Sequence, residues 1–175
     1  MELHRIRGGN KEELEARAYT IGVGISLGNK WFTPENILGL VIWSLQYTRE
    51  NVIVYVADSI HAINEEVRGK MSPERAMERS LKKGTEILQE VKTLIDQQLS
   101  EEDKERIVYS NWNEIIDANY QKKLVWLTEF FRESPAFENR IKEIVRTNTS
   151  KEQKSFTEED IEKLSIYILF LKCRR

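Results

Sequence analysis

The sequence predicts an α/β fold in which helices enclose a small parallel sheet, giving a Rossmann-like three-layer sandwich. Two observations favour this fold class: short apolar runs typical of strands recur along the chain, and amphipathic segments with helical periodicity separate them. The predicted order is β-α-β-α-α-β-α-α-α, without an internal repeat. Ligands of such sheets bind beyond the carboxyl ends of the strands, so the loops that follow the strands are the first candidates for a functional site.

The first half of the chain contains two predicted strands joined by a helix. Residues 1–15 carry many charges and predict a loose N-terminal arm, and the alternating run Ala16–Ile25 predicts the first strand. Thr33 and Pro34 suit the N-cap and the first turn of an apolar, buried helix. The near-continuous apolar run NVIVYVAD, residues 51–58, is typical of an interior parallel strand covered on both faces.

The second half of the chain is mostly helical. A short helical stretch leads from Asp58 to Gly69, and Ser72-Pro73 opens a long helix that ends near Leu99. A third strand fits residues 105–112, and the remaining helices are predicted over the ranges 119–133, 137–147 and 158–173. We therefore expect a single domain, residues 16–175, after the arm.

Composition and charge exclude several classes of protein. The chain has 27 Lys and Arg against 29 Asp and Glu, a formal net charge of −2, which argues against binding nucleic acid by bulk charge. One cysteine, Cys173, excludes an internal disulfide and a multi-cysteine zinc site, and the polar first residues are unlike a signal peptide, so we expect a cytoplasmic protein without a bound metal. No apolar run reaches the ~20 residues needed to cross a bilayer, so no membrane contact is expected.

The glycine-rich loop Gly22–Asn29 admits three interpretations. As a phosphate cradle it lacks both the G-x-G-x-x-G and the Walker spacing. As a nucleophile elbow, Gly24–Gly28 matches G-x-S-x-G and presents Ser26 on a tight turn, but a hydrolase triad needs a late histidine, and His4 and His61 are not so placed. The third interpretation is a serine that takes an acyl group from a donor reactive enough to need no strong general base.

The third interpretation matches a known family. The segment GISLGNKWF at residues 24–32, the VIVYVAD strand and the SPERA helix start resemble the tRNA-dependent cyclodipeptide synthases, over about residues 16–167. This resemblance implies a fold similar to the catalytic domains of the class I tyrosyl- and tryptophanyl-tRNA synthetases. It implies that two aminoacyl-tRNAs, without ATP or another cofactor, form a cyclic dipeptide, a diketopiperazine, and that Ser26 holds the first aminoacyl group.

The resemblance also assigns roles to further residues. Asn29 supports the loop and places the chain in the larger, asparagine-containing subgroup, and Gly24 shapes the floor of the aminoacyl pocket. Tyr167 corresponds to the tyrosine that orients the substrate α-amino group, and Val54 aligns with a pocket-wall position. Strand alternation puts Gly22 on the same side as Gly24, where we expect it to leave space for a bulky first aminoacyl group.

The long helix is predicted to carry the contact with tRNA. Four of its cations fall at i, i+4, i+7 and i+8, which places them along one side of the helix. Members of the family use basic residues on the corresponding helix to hold the tRNA acceptor stem, and here these are Arg75, Arg79, Lys82 and Lys83.

Two departures from the family bear on whether the chain completes the reaction. Leu171 stands where the family carries a glutamate that pairs with the substrate ammonium, and the sequence ends before the strand and second active-site tyrosine that follow in the family. We expect the apolar stretch Ile166–Leu171 to lose its cover and to favour association. The expected activity is therefore slow or aborted, and the alternatives are a non-catalytic aminoacyl-tRNA-binding or RNA-binding relative and a G-x-S-x-G serine esterase.

Overall fold

A computed structural model describes residues 11–152 and 155–172 of the chain. The chain forms two compact units, the first from residues 1–57 and 82–112 and the second from residues 58–81 and 113–175. Within the predicted arm, residues 1–10 lie outside the described part, and Lys11–Ala16 form a short helix. The single-domain boundary stays a prediction.

The first unit is built on a three-stranded parallel sheet with the strand order β1-β2-β3. Its elements are α1 (Lys11–Ala16), β1 (Ile21–Ile25), α2 (Pro34–Tyr47), β2 (Val52–Val56), the second part of α4 (Pro73–Gln98), α5 (Glu101–Glu105) and β3 (Ile107–Asn111). The predicted α/β class with a small parallel sheet is confirmed.

One face of this sheet forms the core of the first unit. On β2, Val52, Val54 and Val56 are fully buried, whereas Ile53 and Tyr55 are half-buried. The buried valines belong to a cluster with residues of the other two strands, α2 and α4, namely Val23, Ile25, Ile37, Leu38, Val41, Val91, Ile95 and Ile107. Alternation therefore gives β2 one fully buried face and one partly open face, instead of the two covered faces that its apolar sequence predicts.

Helix α2 begins where the sequence predicts. Thr33 has an extended backbone and its hydroxyl accepts a hydrogen bond from the Asn36 N–H at 3.3 Å. Pro34 follows in the first turn, where its missing N–H leaves no internal helix bond unmade. The helix is not buried all round: Ile37 and Val41 are fully buried, but Gly39 is exposed. This one-sided burial is typical of a helix that packs on a sheet.

The second unit is helical. Its elements are α3 (Asp58–Gly69), the first part of α4, α6 (Trp112–Ile115), which leads into it, α7 (Ala118–Glu133), α8 (Pro135–Thr149) and α9 (Glu158–Lys172). Helix α9 packs against α3, α7 and α8. Two buried apolar clusters hold these helices together, Val67 with Val145, Ile161 and Leu164, and Phe131 with Ile141 and Leu169.

The start of β1 and the short helices α5 and α6 differ from the sequence prediction. Strand β1 begins at Ile21, five residues later than expected, and the segment before it is bonded to the end of α2. The Arg17 carbonyl accepts a hydrogen bond from the Arg49 N–H at 2.9 Å, and the Tyr19 hydroxyl donates one to the Tyr47 carbonyl at 2.6 Å. The short helix α5 was not predicted, although Ser100 caps it by accepting a hydrogen bond from the Asp103 N–H at 3.2 Å.

The apolar stretch of α9 is covered within the second unit. Leu169 is fully buried, Ile168 packs against one of the two apolar clusters, and the Phe170 carbonyl accepts a hydrogen bond from the Tyr120 hydroxyl at 2.9 Å. The expected exposure of residues 166–171 is therefore not found for residues 166–170, while the side chain of Leu171 and residues 173–175 lie outside the described part. Association through this stretch stays a prediction.

Candidate functional site

Ser26 follows the last residue of β1 and opens the loop that leads to α2. Its carbonyl accepts a hydrogen bond from the Asn29 N–H at 3.1 Å, so the chain turns sharply after the strand. The serine is half-buried, and within residues 11–152 and 155–172 no group hydrogen-bonds its hydroxyl. The side chain therefore lies at the carboxyl end of a parallel strand, with no hydrogen bond from the described part of the chain to hold it.

Asn29 braces the same loop. Its side-chain Oδ1 accepts a hydrogen bond from the Trp31 N–H at 3.0 Å, and its carbonyl accepts one from the Phe32 N–H at 3.1 Å. The Asn36 amide then donates to the Trp31 carbonyl at 2.7 Å, which ties the loop to the first turn of α2. These bonds account for a supporting role of Asn29, and the sequence analysis missed the contribution of Asn36, whose signal is only its position in a capped first turn.

The ring of Tyr55 lies across the two glycines of β1. Gly24 pairs with Tyr55 in the parallel register, so their positions share a face of the sheet. A Cβ atom built on Gly24 would lie 2.6 Å from Tyr55 Cζ and 3.0 Å from Cε2, and one built on Gly22 would lie 3.3 Å from Cε1. The space that the sequence analysis places above Gly22 is thus occupied by this ring.

Val54 lies on the other face of the sheet. It pairs with Val23, is fully buried, and belongs to the core under α2 and α4. The β2 side chains that share the face of Gly22 and Gly24 are Ile53 and Tyr55, and the one that pairs with Gly24 is Tyr55. The sequence analysis missed Tyr55 because the pairing register, which decides the face, is not visible in a single strand.

Tyr167 lies in the second unit, beside a small cavity. The cavity has a volume of about 110 Å³ and combines polar with apolar lining residues, namely Asn64, Arg68, Val145, Asn148, Thr149, Leu164, Tyr167 and Ile168. A volume of this size accommodates a few water molecules or a short side chain. Tyr167 thus belongs to the second unit, whereas Ser26, Asn29 and the two glycines belong to the first.

Polar side chains lead from the Tyr167 hydroxyl to Glu152. Burial raises the pKa of Tyr167, while a hydrogen bond from the Asn64 side chain and the nearby charge of Arg68 act in the opposite direction. Arg68 Nη1 donates to Asn64 Oδ1, and its Nη2 donates to Glu152 Oε1 at 2.7 Å. Glu152 therefore holds Arg68, Arg68 orients the Asn64 amide, and the amide in turn faces the tyrosine. These partners were not predicted from the sequence, because Arg68 and Glu152 are 84 residues apart in the chain.

The four predicted tRNA contacts lie on α4 in different surroundings. Arg75, Arg79 and Lys82 are exposed, and Lys83 is half-buried. Arg79 Nε lies 3.2 Å from Glu65 Oε2 of α3, and Lys82 Nζ lies 3.9 Å from Glu86 Oε1 on the same helix. The stripe is therefore partly neutralised by carboxylates of the chain.

His61, the histidine that an esterase would use, is engaged within the second unit. Its side chain is 8% exposed, and its Nε2 lies 3.4 Å from Glu65 Oε1, one turn further along α3. The described part of the first unit, which carries Ser26, contains no histidine, and His4 lies outside the described residues.

Two further classes of site can be assessed over the described ranges, 11–152 and 155–172. There, no group of three or more His, Cys, Asp and Glu side chains is placed to hold a metal ion. Over the same ranges, no helix has the length and apolar character needed to cross a membrane.

No protein-family model and no curated protein matches the sequence, but solved structures match the fold. A cyclodipeptide synthase from Fluoribacter dumoffii has a TM-score of 0.71 at 15% identity, over 94% of this chain and 74% of that one. A Mycobacterium tuberculosis protein, whose structure demonstrates that cyclodipeptide synthetases are related to type I tRNA synthetases, has a TM-score of 0.69 at 17% identity, over 93% and 68% of the two chains. A cyclodipeptide synthase from Candidatus Glomeribacter gigasporarum, bound to Phe-tRNAPhe, has a TM-score of 0.54 at 15% identity, over 86% and 68%.

These similarities define the class of fold. The chain has an α/β fold of the kind shared with type I tRNA synthetases. More particularly, its fold is that of the cyclodipeptide synthases.

Proposed function

We propose that this chain is an aminoacyltransferase of the cyclodipeptide synthase family, which takes aminoacyl groups from aminoacyl-tRNAs and joins two of them into a cyclic dipeptide. The observation that carries the proposal is the position of Ser26. A half-buried serine, with no intramolecular hydrogen bond to its hydroxyl among the described residues, lies at the end of the first strand in a fold shared with known cyclodipeptide synthases. The match to a synthase bound to Phe-tRNAPhe supports aminoacyl-tRNA as the substrate.

The chemistry of the first step suits this loop. The Ser26 oxygen forms a bond to the ester carbonyl carbon of the aminoacyl-tRNA, the bond from that carbon to the ribose oxygen breaks, and the hydroxyl proton ends on the ribose oxygen. An aminoacyl ester is an activated donor, so the step does not require the histidine that a serine hydrolase uses. Backbone N–H groups near the turn can stabilise the negative charge that develops on the carbonyl oxygen.

Tyr167 and the basic residues of α4 have binding roles in this proposal. Tyr167 orients the substrate α-amino group, and the Asn64 side chain is a polar neighbour of its hydroxyl. The four cations of α4 contact phosphates of the tRNA, which adds affinity without sequence preference: Arg75, Arg79, Lys82 and Lys83.

Covalent loading of Ser26 tests the proposal directly. We expect intact mass spectrometry, after incubation with a mixture of aminoacyl-tRNAs, to show a mass increase of one aminoacyl residue on the wild-type chain. Ser26→Ala should abolish this adduct, and Ser150→Ala, which removes the hydroxyl of an exposed serine at the end of α8, should retain it. Release of a diketopiperazine, measured by liquid chromatography and mass spectrometry, tests the second half of the reaction separately.

A second candidate function is binding of aminoacyl-tRNA without turnover. The observation that favours it is Leu171, which stands where the family carries a carboxylate that pairs with the substrate ammonium. Loss of a charge-pairing carboxylate commonly costs several kcal/mol of transition-state stabilisation. A gel shift with aminoacyl-tRNA, in the absence of any Ser26 adduct, would establish this second function in place of the first.

A further inference from the structure

Tyr55 fills the sheet face that leads up to Ser26. Its ring spans two positions of β1, because Cε1 is the atom nearest to Gly22 while Cζ and Cε2 are near Gly24. The Tyr55 hydroxyl lies against Gly24, closer than any other Tyr55 atom to the position that a Cβ would occupy. The two glycines therefore leave the space in which the aromatic ring lies. A side chain at position 24 would push the ring out, and one at position 22 would require a small adjustment.

Ser26 is the first residue after β1. Side chains alternate along a strand, so extending the alternation of β1 by one residue puts position 26 on the same side as positions 22 and 24. With a rise of about 3.3 Å per residue, the Cα of Ser26 lies roughly 7 Å beyond that of Gly24. The parallel pairing continues up to this point, since the Ala57 N–H donates to the Ile25 carbonyl at 3.0 Å. A group bound to the Ser26 oxygen and extending back along β1 therefore meets the Tyr55 ring after about one side-chain length.

We propose that Tyr55 is a specificity-determining residue, and that it restricts the acyl group carried by Ser26 to small aminoacyl groups such as alanyl. This inference rests on the proposed function, because it concerns the group that Ser26 accepts. Gly22 and Gly24 act through Tyr55: their missing side chains let the ring lie flat on the strand and occupy the volume that a larger acyl side chain would need. The restriction comes from the ring and not from the hydroxyl.

A competition for loading tests this proposal. Alanyl and phenylalanyl groups are charged onto the same tRNA sequence, so that the RNA contacts are equal, and the two adducts on Ser26 are quantified in one mass spectrum. We expect the wild-type chain to load alanyl in preference to phenylalanyl by at least about tenfold, the discrimination that small differences in apolar volume provide. Tyr55→Ala should reduce this ratio at least about tenfold, and Tyr55→Phe should leave it unchanged.

Ile53→Ala is the matched control. Ile53 lies on the same strand and the same face as Tyr55 but pairs with Gly22, two residues further from Ser26. Its truncation removes a side chain of similar burial from the sheet and should leave the ratio of the two adducts unchanged. Should Tyr55→Ala not give the far-ultraviolet circular dichroism spectrum of the wild type, Tyr55→Val, which introduces a β-branched residue that favours strands, replaces it in the comparison.

The outcomes separate this inference from the function on which it rests. Absence of both adducts on the wild-type chain refutes the proposed function. Equal loading of both groups by the wild type, or an unchanged ratio in a folded Tyr55→Ala chain, overturns the role of Tyr55 while leaving the proposed function supported. A ratio that falls in Tyr55→Ala and in Ile53→Ala alike also overturns it, because the effect would then come from loosening the sheet.

Discussion

Replacing Gly24 by alanine forces a methyl group into the ring of Tyr55. The new carbon would lie 2.6 Å from Cζ, short of an ordinary contact of 3.4 Å by about 0.8 Å, so the ring or the strand must move. Overpacking of this kind costs about 1–3 kcal/mol. Alanine also restricts the unfolded chain more than glycine does, which stabilises the folded state by about 0.4–1 kcal/mol. The net destabilisation should therefore be roughly 1–2 kcal/mol.

A double-mutant cycle isolates the contact. Urea unfolding followed by circular dichroism is measured for the wild type, Gly24→Ala, Tyr55→Ala and the double variant. In the Tyr55→Ala background nothing obstructs the methyl group, so Gly24→Ala should stabilise by about 0.4–1 kcal/mol, and the coupling between the two positions should be roughly 1–3 kcal/mol. An equal effect of Gly24→Ala in both backgrounds would refute the packing of Tyr55 on Gly24.

Two other glycines provide matched controls for this cycle. A Cβ on Gly22 would lie 3.3 Å from Tyr55 Cε1, which requires only a small adjustment, so Gly22→Ala should destabilise less than Gly24→Ala. Gly39 lies exposed on α2 with no atom within 4 Å of its Cβ position, so Gly39→Ala should stabilise by about 0.5–1 kcal/mol through helix propensity alone.

Three further predictions concern single hydrogen bonds. Thr33→Ala removes the cap of α2 and should lower the free energy of unfolding by about 1 kcal/mol in urea, whereas Thr33→Ser should retain most of it; equal losses would contradict the capping role. Asn64→Leu removes the bond that lowers the pKa of Tyr167, so the phenol absorbance assigned by difference from Tyr167→Phe should titrate at higher pH, and an unchanged or lower midpoint would argue against the bond. Hydrogen bonds from Lys70 and from the Thr157 N–H hold the pKa of Asp160 below its ordinary 3.8. The stabilisation from this carboxylate is complete above that pH and is lost as the pH falls through the lowered pKa. In Asp160→Asn the free energy of unfolding should therefore decrease less steeply with falling pH, as urea midpoints at pH 2–5 would report.

Helix starts were predictable because their chemistry is local. Thr33 with Pro34, and Ser72 with Pro73, each combine a hydroxyl that accepts a backbone hydrogen bond with a proline that fits the first turn. The relevant partners lie within three residues, so the sequence alone contains the whole interaction.

The length of β1 was not predictable from its pattern. Tyr19 continues the alternation of Ile21, Val23 and Ile25, which is why the sequence predicts a longer strand. In the structure its hydroxyl bonds the Tyr47 carbonyl, a partner 28 residues away. Tertiary hydrogen bonding at a strand end therefore overrides the local periodicity.

The candidate site likewise has one part that was predictable from the sequence and one part that was not. The loop around Ser26 and Asn29 was predictable because its residues are contiguous and its turn is made by local hydrogen bonds. The packing of Tyr55 on Gly24 was not predictable, since the sequence does not state that Gly24 pairs with Tyr55 and not with Val54. A shift of one residue in register exchanges the two faces of a strand, and with them the residue that approaches the site.

The carboxylates along α4 change how any polyanion would bind there. A phosphate that binds Arg79 competes with Glu65, and one that binds Lys82 competes with Glu86. Two of the four cations are thus already paired with carboxylates of the chain. Each displaced carboxylate keeps its negative charge close to the phosphate that replaces it. Fewer counterions are released than the number of cations implies, so the complex should weaken with added salt less steeply than four independent phosphate contacts would require.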